Sequence, residues 1–346
     1  MSPLIWTILI TSLSTSTIIT MMSHHWLLAW LGLELNTLSM LPIIMKTKHP
    51  RATEAATKYF IIQATAAAMI LFASTMNVWQ TGQWLITYPN SPTATTITTL
   101  ALMLKLGLAP MHFWYPEVLQ GVTMNTAMVI STWQKIAPMT LLFLMTSKLP
   151  TNTIIMIGLT SALLGGWMGL NQTQTRKILA FSSISHMGWL VIALTMNQNL
   201  TTLTFMVYAI MTITMFTSLN TTTSKTLTDL GTNWTYSPML LLATMMTLMS
   251  LGGLPPLTGF MPKWLILKEL TLTELIPLSI TIALASLPSL FFYIRMTYLA
   301  MLTMPPHTTS TEHKWRFKNT SPKSMPSTIT LTTLLLPITP MLYNTL

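Results

Sequence analysis

Runs of apolar residues about 20 long, the length that crosses a hydrocarbon core, follow one another along nearly the whole of this 346-residue chain. No other feature limits its fold so tightly. Only 7% of the residues are charged, against about 25% in soluble domains, so little of the chain is suited to water. The sequence reads as an all-α polytopic membrane protein, a single membrane domain over residues 1–346.

Composition also excludes chemistry. Cys is absent, which removes disulfides, thiolate metal ligands and iron–sulfur clusters from this chain together. There is no G-x-G-x-x-G fingerprint and no P-loop, so neither a cofactor-binding nor a metal site is expected. The formal charge of +10 raises the question of nucleic acid. The basic residues are scattered through loops, however, where they orient helices, and no nucleic-acid partner is expected. The opening MSPLIWTILITSLSTSTIIT has no positive n-region and no small-residue cleavage site, so it reads as a first span rather than a leader. Thr recurs inside the apolar runs. Its hydroxyl can bond the carbonyl one turn back, which makes it tolerable in lipid.

Hydropathy places eleven spans, near 3–22, 26–45, 57–77, 96–117, 124–146, 152–170, 176–196, 200–219, 237–270, 276–300 and 326–345. The ninth is too long for one straight helix and carries GGLPPLTG near its middle, so it reads as one broken helix. The fourth, LALMLKLGLAPMHFWYPEV, is interrupted at Pro110 in the same way. Loops after even-numbered spans hold Lys46, Lys48, Arg51, Lys58, Arg176, Lys177, Lys225, Lys314, Arg316, Lys318 and Lys323. Those after odd-numbered spans hold Lys148 and Lys268 alone. This alternation supports the count and places the N-terminus with the basic loops on the cytosol-like side.

Few ionisable residues fall within spans: Glu34, Lys105, Lys135, His186, Lys263 and, nearer an end, Arg295. A Lys or Arg close to an interface can snorkel its charge to the headgroups, a reading that suits Arg295 and fits Lys263. It does not suit Lys105 or Lys135, deep in their runs. Glu34 is equally central and has no long stem with which to escape. Intramembrane charges face the bundle interior, and burial disfavours the ionised form of acids and amines alike while a nearby opposite charge favours it. Such groups suit proton relay, and no nucleophile–base–orienter set accompanies them. Ser182 and His186, four apart in RKILAFSSISHMGWL, share a helix face. They serve either a proton relay or a helix–helix hydrogen bond. His112 would share a face with Lys105 only if the helix continued past Pro110. Ser161, Gly165 and Gly169 in the sixth run read as close helix packing.

GLAPMHFW and GLPPLTGF both centre on Gly-Leu-x-Pro, each with a Lys within several residues. They lie five spans apart, so the two copies insert in opposite senses, the sequence pointer to inverted five-helix repeats. The repeats divide the chain into a first half over 1–147, a second over 148–300, and a basic loop with a last span over 301–346.

Three stretches, KLGLAPMHFWYPEV, RKILAFSSISHMG and LGGLPPLTGFMPKW, resemble in order and spacing the signature stretches of the antiporter-like membrane subunits of respiratory complex I. The resemblance covers essentially the whole chain. It implies a proton-translocating membrane-arm subunit of NADH:ubiquinone oxidoreductase. Glu34 would then be the glutamate of the first half-channel and Lys105 its paired lysine. Lys135 would lie on the central axis, Lys263 on the second broken helix, and His112 and His186 in the hydrated polar axis. The resemblance also implies that FMN, iron–sulfur clusters and ubiquinone sit on other subunits. It implies partners among the other membrane-arm subunits, further antiporter-like ones included, and lipids such as cardiolipin. The expected location is the mitochondrial inner membrane, with the N-terminus and basic loops in the matrix and the C-terminus on the intermembrane-space side. Bacterial relatives carry further helices at the N-terminal end. Two other readings stand beside this one: a structural membrane subunit whose buried charges only specify packing, and a sodium/proton antiporter, for which one mid-membrane carboxylate is a poor ligand set.

Overall fold

A computed structural model describes residues 2–87, 91–233, 237–301 and 322–345. Helix α1 (Pro3–Met22) starts where Ser2 accepts a bond from the Ile5 amide and Pro3 supplies a pre-set φ. Its hydroxyls behave as the sequence predicts: Thr7, Thr17 and Thr20 donate to carbonyls three residues back at 2.7–2.8 Å. Helix α2 is Trp26–Ile44 and α3 is Pro50–Thr81. The third run extends beyond the expected 57–77 because His49 caps the Arg51 amide and Pro50 opens the helix, which then runs until Gly82 turns left-handed at φ 71°. Arg51 and Lys58, expected in a loop, therefore lie in the first turns of α3.

Next come α4 (Pro92–Leu106), α5 (Trp114–Gly121), α6 (Met124–Ser131) and α7 (Ile136–Leu144). The fifth run was expected as one uninterrupted span. It is split by Thr132 (φ −114°, ψ −67°) and a 3₁₀ turn at Trp133–Lys135. The cause is Pro138, which has no amide to offer the Gln134 carbonyl and crowds it with its ring. Then follow α8 (Thr151–Gly169), α9 (Thr175–Met196), α10 (Gln198–Thr222), α11 (Leu227–Thr232), α12 (Pro238–Gly252), α13 (Phe260–Leu272), α14 (Ile276–Met301), α15 (Met325–Leu334) and α16 (Thr339–Thr345). Arg176 and Lys177, also expected in a loop, sit in the first turn of α9.

The described residues are helical, with two isolated β-bridges, His25–Leu85 and Gln174–Thr226. Among them, 8 helices are long and apolar enough to cross a membrane, or 9 if α15 and its continuation, bent by 63°, form one span. The remaining two expected runs, 96–117 and 237–270, fall short of that length because each is cut in two at a glycine. The loop residues Lys314, Arg316 and Lys318 lie outside the described residues.

The chain forms two compact units, Met1–Thr160 and Ser161–Leu346. In the first, α2 and α3 are central: α1 packs on α2, α4 and α5 pack on α3, and α7 closes against α1 and α4. In the second, α9 is the core helix, with 89% of its apolar window buried beneath α10, α13 and α14. Gly165 shows how tightly α8 meets α9, since a Cβ there would lie 2.7 Å from the Ser185 nitrogen. This is the close packing expected of Ser161, Gly165 and Gly169.

Candidate functional site

The two broken helices end in the same way. Gly107 closes α4 at φ 75°, its amide donating to the Leu104 carbonyl and that of Leu108 to Met103, both at 3.1 Å. Gly253 closes α12 at φ 81°, its amide donating to Ser250 at 3.0 Å and that of Leu254 to Met249 at 3.4 Å. This left-handed cap satisfies part of the last turn's carbonyls, and only glycine enters it without strain. The lysines sit on opposite sides of the breaks. Lys105 is in the last turn of α4, before its break, whereas Lys263 is in α13, after the other. Both lie by a helix C-terminus, where the macrodipole favours a cation.

In the first unit Lys105 is 6% exposed, and its ammonium has no hydrogen-bond partner. Its own carbonyl, left over by the helix end, accepts a long bond from Gln63 Nε2 at 3.5 Å. Lys105 and Lys135 line one small cavity, of about 10 Å³, with Tyr59, Gln63, Tyr115 and Gln134. That is the room one water needs. The defect at Trp133–Lys135 puts Lys135 there, 3% exposed, with its ammonium 5.1 Å from the Tyr115 ring centroid in cation–π range. A polar thread runs along the wall: the Tyr59 hydroxyl donates to Gln134 Oε1 at 3.4 Å, and Gln134 Nε2 donates to Asn36 Oδ1 at 3.0 Å.

Glu34 lies two residues before Asn36 on α2, half-buried. Its carboxylate accepts from Thr37 Oγ1 at 3.1 Å. It acts electrostatically on Lys105 and Tyr59, but it does not meet Lys105 in an ion pair. Among the described residues the ion pairs are those of Lys58 with Glu54 and with Glu117, at 2.5 and 2.7 Å, tying α5 to α3. His112 is buried in the non-helical stretch between α4 and α5, stacked on Phe113 with Nδ1 3.2 Å from the Pro110 carbonyl. The helix stops at Leu106, so no shared helix face joins His112 to Lys105.

In the second unit Lys263 Nζ donates to the Gly252 carbonyl at 2.9 Å and lies 5.9 Å from the Trp189 ring centroid. It caps the end of α12, and the snorkelling reading is not the one the structure adopts. Arg295 likewise donates to the Leu170 carbonyl, at the end of α8. Lys263 and His186 line a cavity of about 30 Å³ with Thr204 and Tyr208. His186 Nε2 pairs with the Tyr293 hydroxyl at 3.3 Å, and Ser182, whose hydroxyl donates to the Leu179 carbonyl at 2.8 Å, acts electrostatically on Tyr293. The helix face shared by Ser182 and His186 thus meets α14.

Reading only charges and histidines missed Asn36, Tyr59, Gln63, Gln134, Tyr208 and Tyr293. A signal was present in the amides, since Asn36, Gln63 and Gln134 are uncharged polar side chains deep in apolar runs, where each needs a partner.

Residues 23–289 match the family model described as NADH:quinone oxidoreductase/Mrp antiporter, transmembrane. Residues 290–343 match that of the NADH dehydrogenase subunit 2 C-terminus. The chain is 51% identical over 335 residues to NADH-ubiquinone oxidoreductase chain 2 of Struthio camelus, covering 97% of each. It is 50% identical over 343 residues to that of Elephas maximus, covering 99% of each. Among solved structures it resembles a chain of respiratory complex I from Thermus thermophilus with TM-score 0.85 and 23% identity, covering 97% of this chain and 78% of that one. It also resembles a chain of the Mrp complex from Dietzia sp. DQ12-45-1b with TM-score 0.83 and 14% identity, covering 97% and 75%.

Proposed function

Since the chain belongs to the NADH:quinone oxidoreductase/Mrp antiporter membrane family, in its NADH-ubiquinone oxidoreductase chain 2 branch, we propose that it is a membrane-arm subunit of proton-translocating NADH:ubiquinone oxidoreductase. It carries protons through buried Glu34, Lys105, Lys135 and His112 in its first unit and through Lys263 and His186 in its second. One observation carries this reading: the Lys105 ammonium is buried, has no hydrogen-bond partner, and faces a cavity shared with Lys135. A charge kept only to specify packing would be expected to hold a partner. Moving one charge against about 150 mV requires roughly 3.5 kcal/mol. No fuel site is assigned to this chain, so that energy comes from quinone chemistry on neighbouring subunits, which hold FMN, the iron–sulfur clusters and ubiquinone.

The finer architecture belongs to the same proposal. Counting α4 with α5 and α12 with α13 as broken spans gives eleven, arranged as two inverted repeats around the paired glycine breaks. The protein lies in the mitochondrial inner membrane, N-terminus and basic loops in the matrix, C-terminus on the intermembrane-space side, beside other antiporter-like subunits and cardiolipin. The deciding measurement is the proton-to-electron ratio of the assembled complex carrying Lys105→Met. The expected result is full assembly with a lowered ratio. An assembled complex with an unchanged ratio sinks the relay reading and leaves the packing role.

A further inference from the structure

Lys105 and Lys135 share a cavity, yet a proton passing between them needs a group that both accepts and donates. The amides of Gln63 and Gln134 donate and accept hydrogen bonds but do not exchange protons readily. Tyr115 turns its ring face to Lys135, an attraction for the ammonium rather than a proton acceptor. Beside the one water for which there is room, two phenols line the cavity, Tyr115 and Tyr59, and it is the Tyr59 hydroxyl, on a side chain 1% exposed, whose hydrogen bond is tied into the polar thread of the wall. A phenol buried this deeply without catalytic use is expected to hold a short, settled hydrogen bond. Tyr59 instead holds a 3.4 Å bond to Gln134 Oε1, long for an O–H donor. Asn36 accepts from the other end of the same amide at 3.0 Å, which fixes the Gln134 oxygen toward Tyr59. The hydroxyl proton is thus parked on Gln134, and the weak bond leaves it free to turn about the C–O axis.

We propose that the Tyr59 hydroxyl is the transfer group between Lys105 and Lys135, held out of play by Gln134 and engaged when it turns into the cavity. In the step, an N–H bond of the charged lysine breaks and its proton bonds to the Tyr59 oxygen, directly or through the one water for which there is room. The proton Tyr59 already carried leaves that oxygen for the neutral amine of the other lysine. Tyr59 is a neutral phenol before and after, and one positive charge has changed lysines. Rotation back to Gln134 resets the group. Gln134 is then a positioning residue, and Asn36 links the parked state to α2, the helix that bears Glu34.

This inference rests on the relay reading above, and the test separates the two. Three assembled complexes are compared, carrying Tyr59→Phe, Gln134→Met and Lys105→Met, with electron transfer and proton-to-electron ratio measured in the same vesicles. Tyr59→Phe keeps the ring and its packing, so electron transfer is expected to survive while the ratio falls by the increment that Lys105→Met removes. Gln134→Met leaves the hydroxyl but not its parking place. It is expected to keep the ratio at low membrane potential and to raise passive proton leak several-fold. If Tyr59→Phe pumps with the full ratio while Lys105→Met does not, the Tyr59 step is overturned and the relay stands. If Lys105→Met also pumps fully, the relay reading itself fails. Should Tyr59→Phe not assemble, a ring-fluorinated tyrosine at position 59 keeps the shape and alters only the hydroxyl acidity. A changed solvent deuterium isotope effect on pumping then supports the step, and an unchanged one refutes it.

Discussion

Lys105→Met separates a functional lysine from a structural one, because the two roles predict opposite signs in stability. The ammonium of Lys105 is buried and without a hydrogen-bond partner, so the folded protein carries its desolvation cost with only the more distant field of Glu34 in return. Met keeps the unbranched stem and similar volume, and the Gln63 bond goes to the backbone carbonyl, which the substitution leaves in place. Replacing a poorly compensated buried charge with an apolar isostere is neutral to stabilising by about 1–3 kcal/mol. For units of this size that is about 2–4 °C per kcal/mol in midpoint temperature. Removing one partner of a committed ion pair costs about 3–5 kcal/mol instead. The assay is thermal inactivation of the solubilised, assembled complex beside its proton-to-electron ratio. The expected outcome is an equal or raised midpoint together with impaired pumping. A midpoint lowered by several degrees would mean that Lys105 has a partner on which the fold depends, and the reasoning from its isolation would be refuted.

Gly82, Gly107 and Gly253 all have positive φ, but a Cβ at Gly82 meets nothing within 4 Å whereas one at Gly253 lies 3.0 Å from Lys263 Cδ and Nζ. Gly82→Ala should cost only the backbone term, about 1–2 kcal/mol, and leave pumping intact. Gly253→Ala should add a pumping defect, and identical behaviour of the two in both readouts would dissociate Lys263 from the break. Asp229, outside the spans, forms a capping box with Thr226. Burial alone pushes its carboxyl up, but the Thr226 and Lys225 amides outweigh this and hold it below the ordinary 3.8. A depressed carboxylate stabilises above its unfolded value and loses that contribution as pH falls through its folded one. Amide exchange around residues 225–229 should therefore accelerate below about pH 4, and Asp229→Asn should remove that acid step. Lys58→Met breaks an exposed bridge between α3 and α5 and should lower stability only slightly, because water and salt screen exposed ion pairs. That cost should shrink at high salt, and a salt-independent loss would point to packing by the lysine stem.

Much of this was legible in the chain because a bilayer leaves few choices. A 20-residue apolar run has one way to pair its backbone in lipid, and Gly-Leu-x-Pro has one cheap way to end a helix. The sequence by itself therefore determined the helical class, the two glycine breaks and which charged residues lie inside the apolar runs. It did not determine which partners those charges find. Glu34 turns to Thr37 on its own helix, Lys263 to the carbonyl end of α12, and Lys135 to the ring of Tyr115, facts that follow from how α2, α3, α5 and the 3₁₀ turn meet in one unit and α9, α12 and α13 in the other. The split at Trp133–Lys135 was readable in principle from Pro138, but where it would aim Lys135 was not. Spacing along one helix fixes a face. Only packing fixes what that face meets, and a hydrogen bond or a proton transfer depends on ångströms between segments far apart in sequence, as Tyr59, Gln134 and Asn36 are.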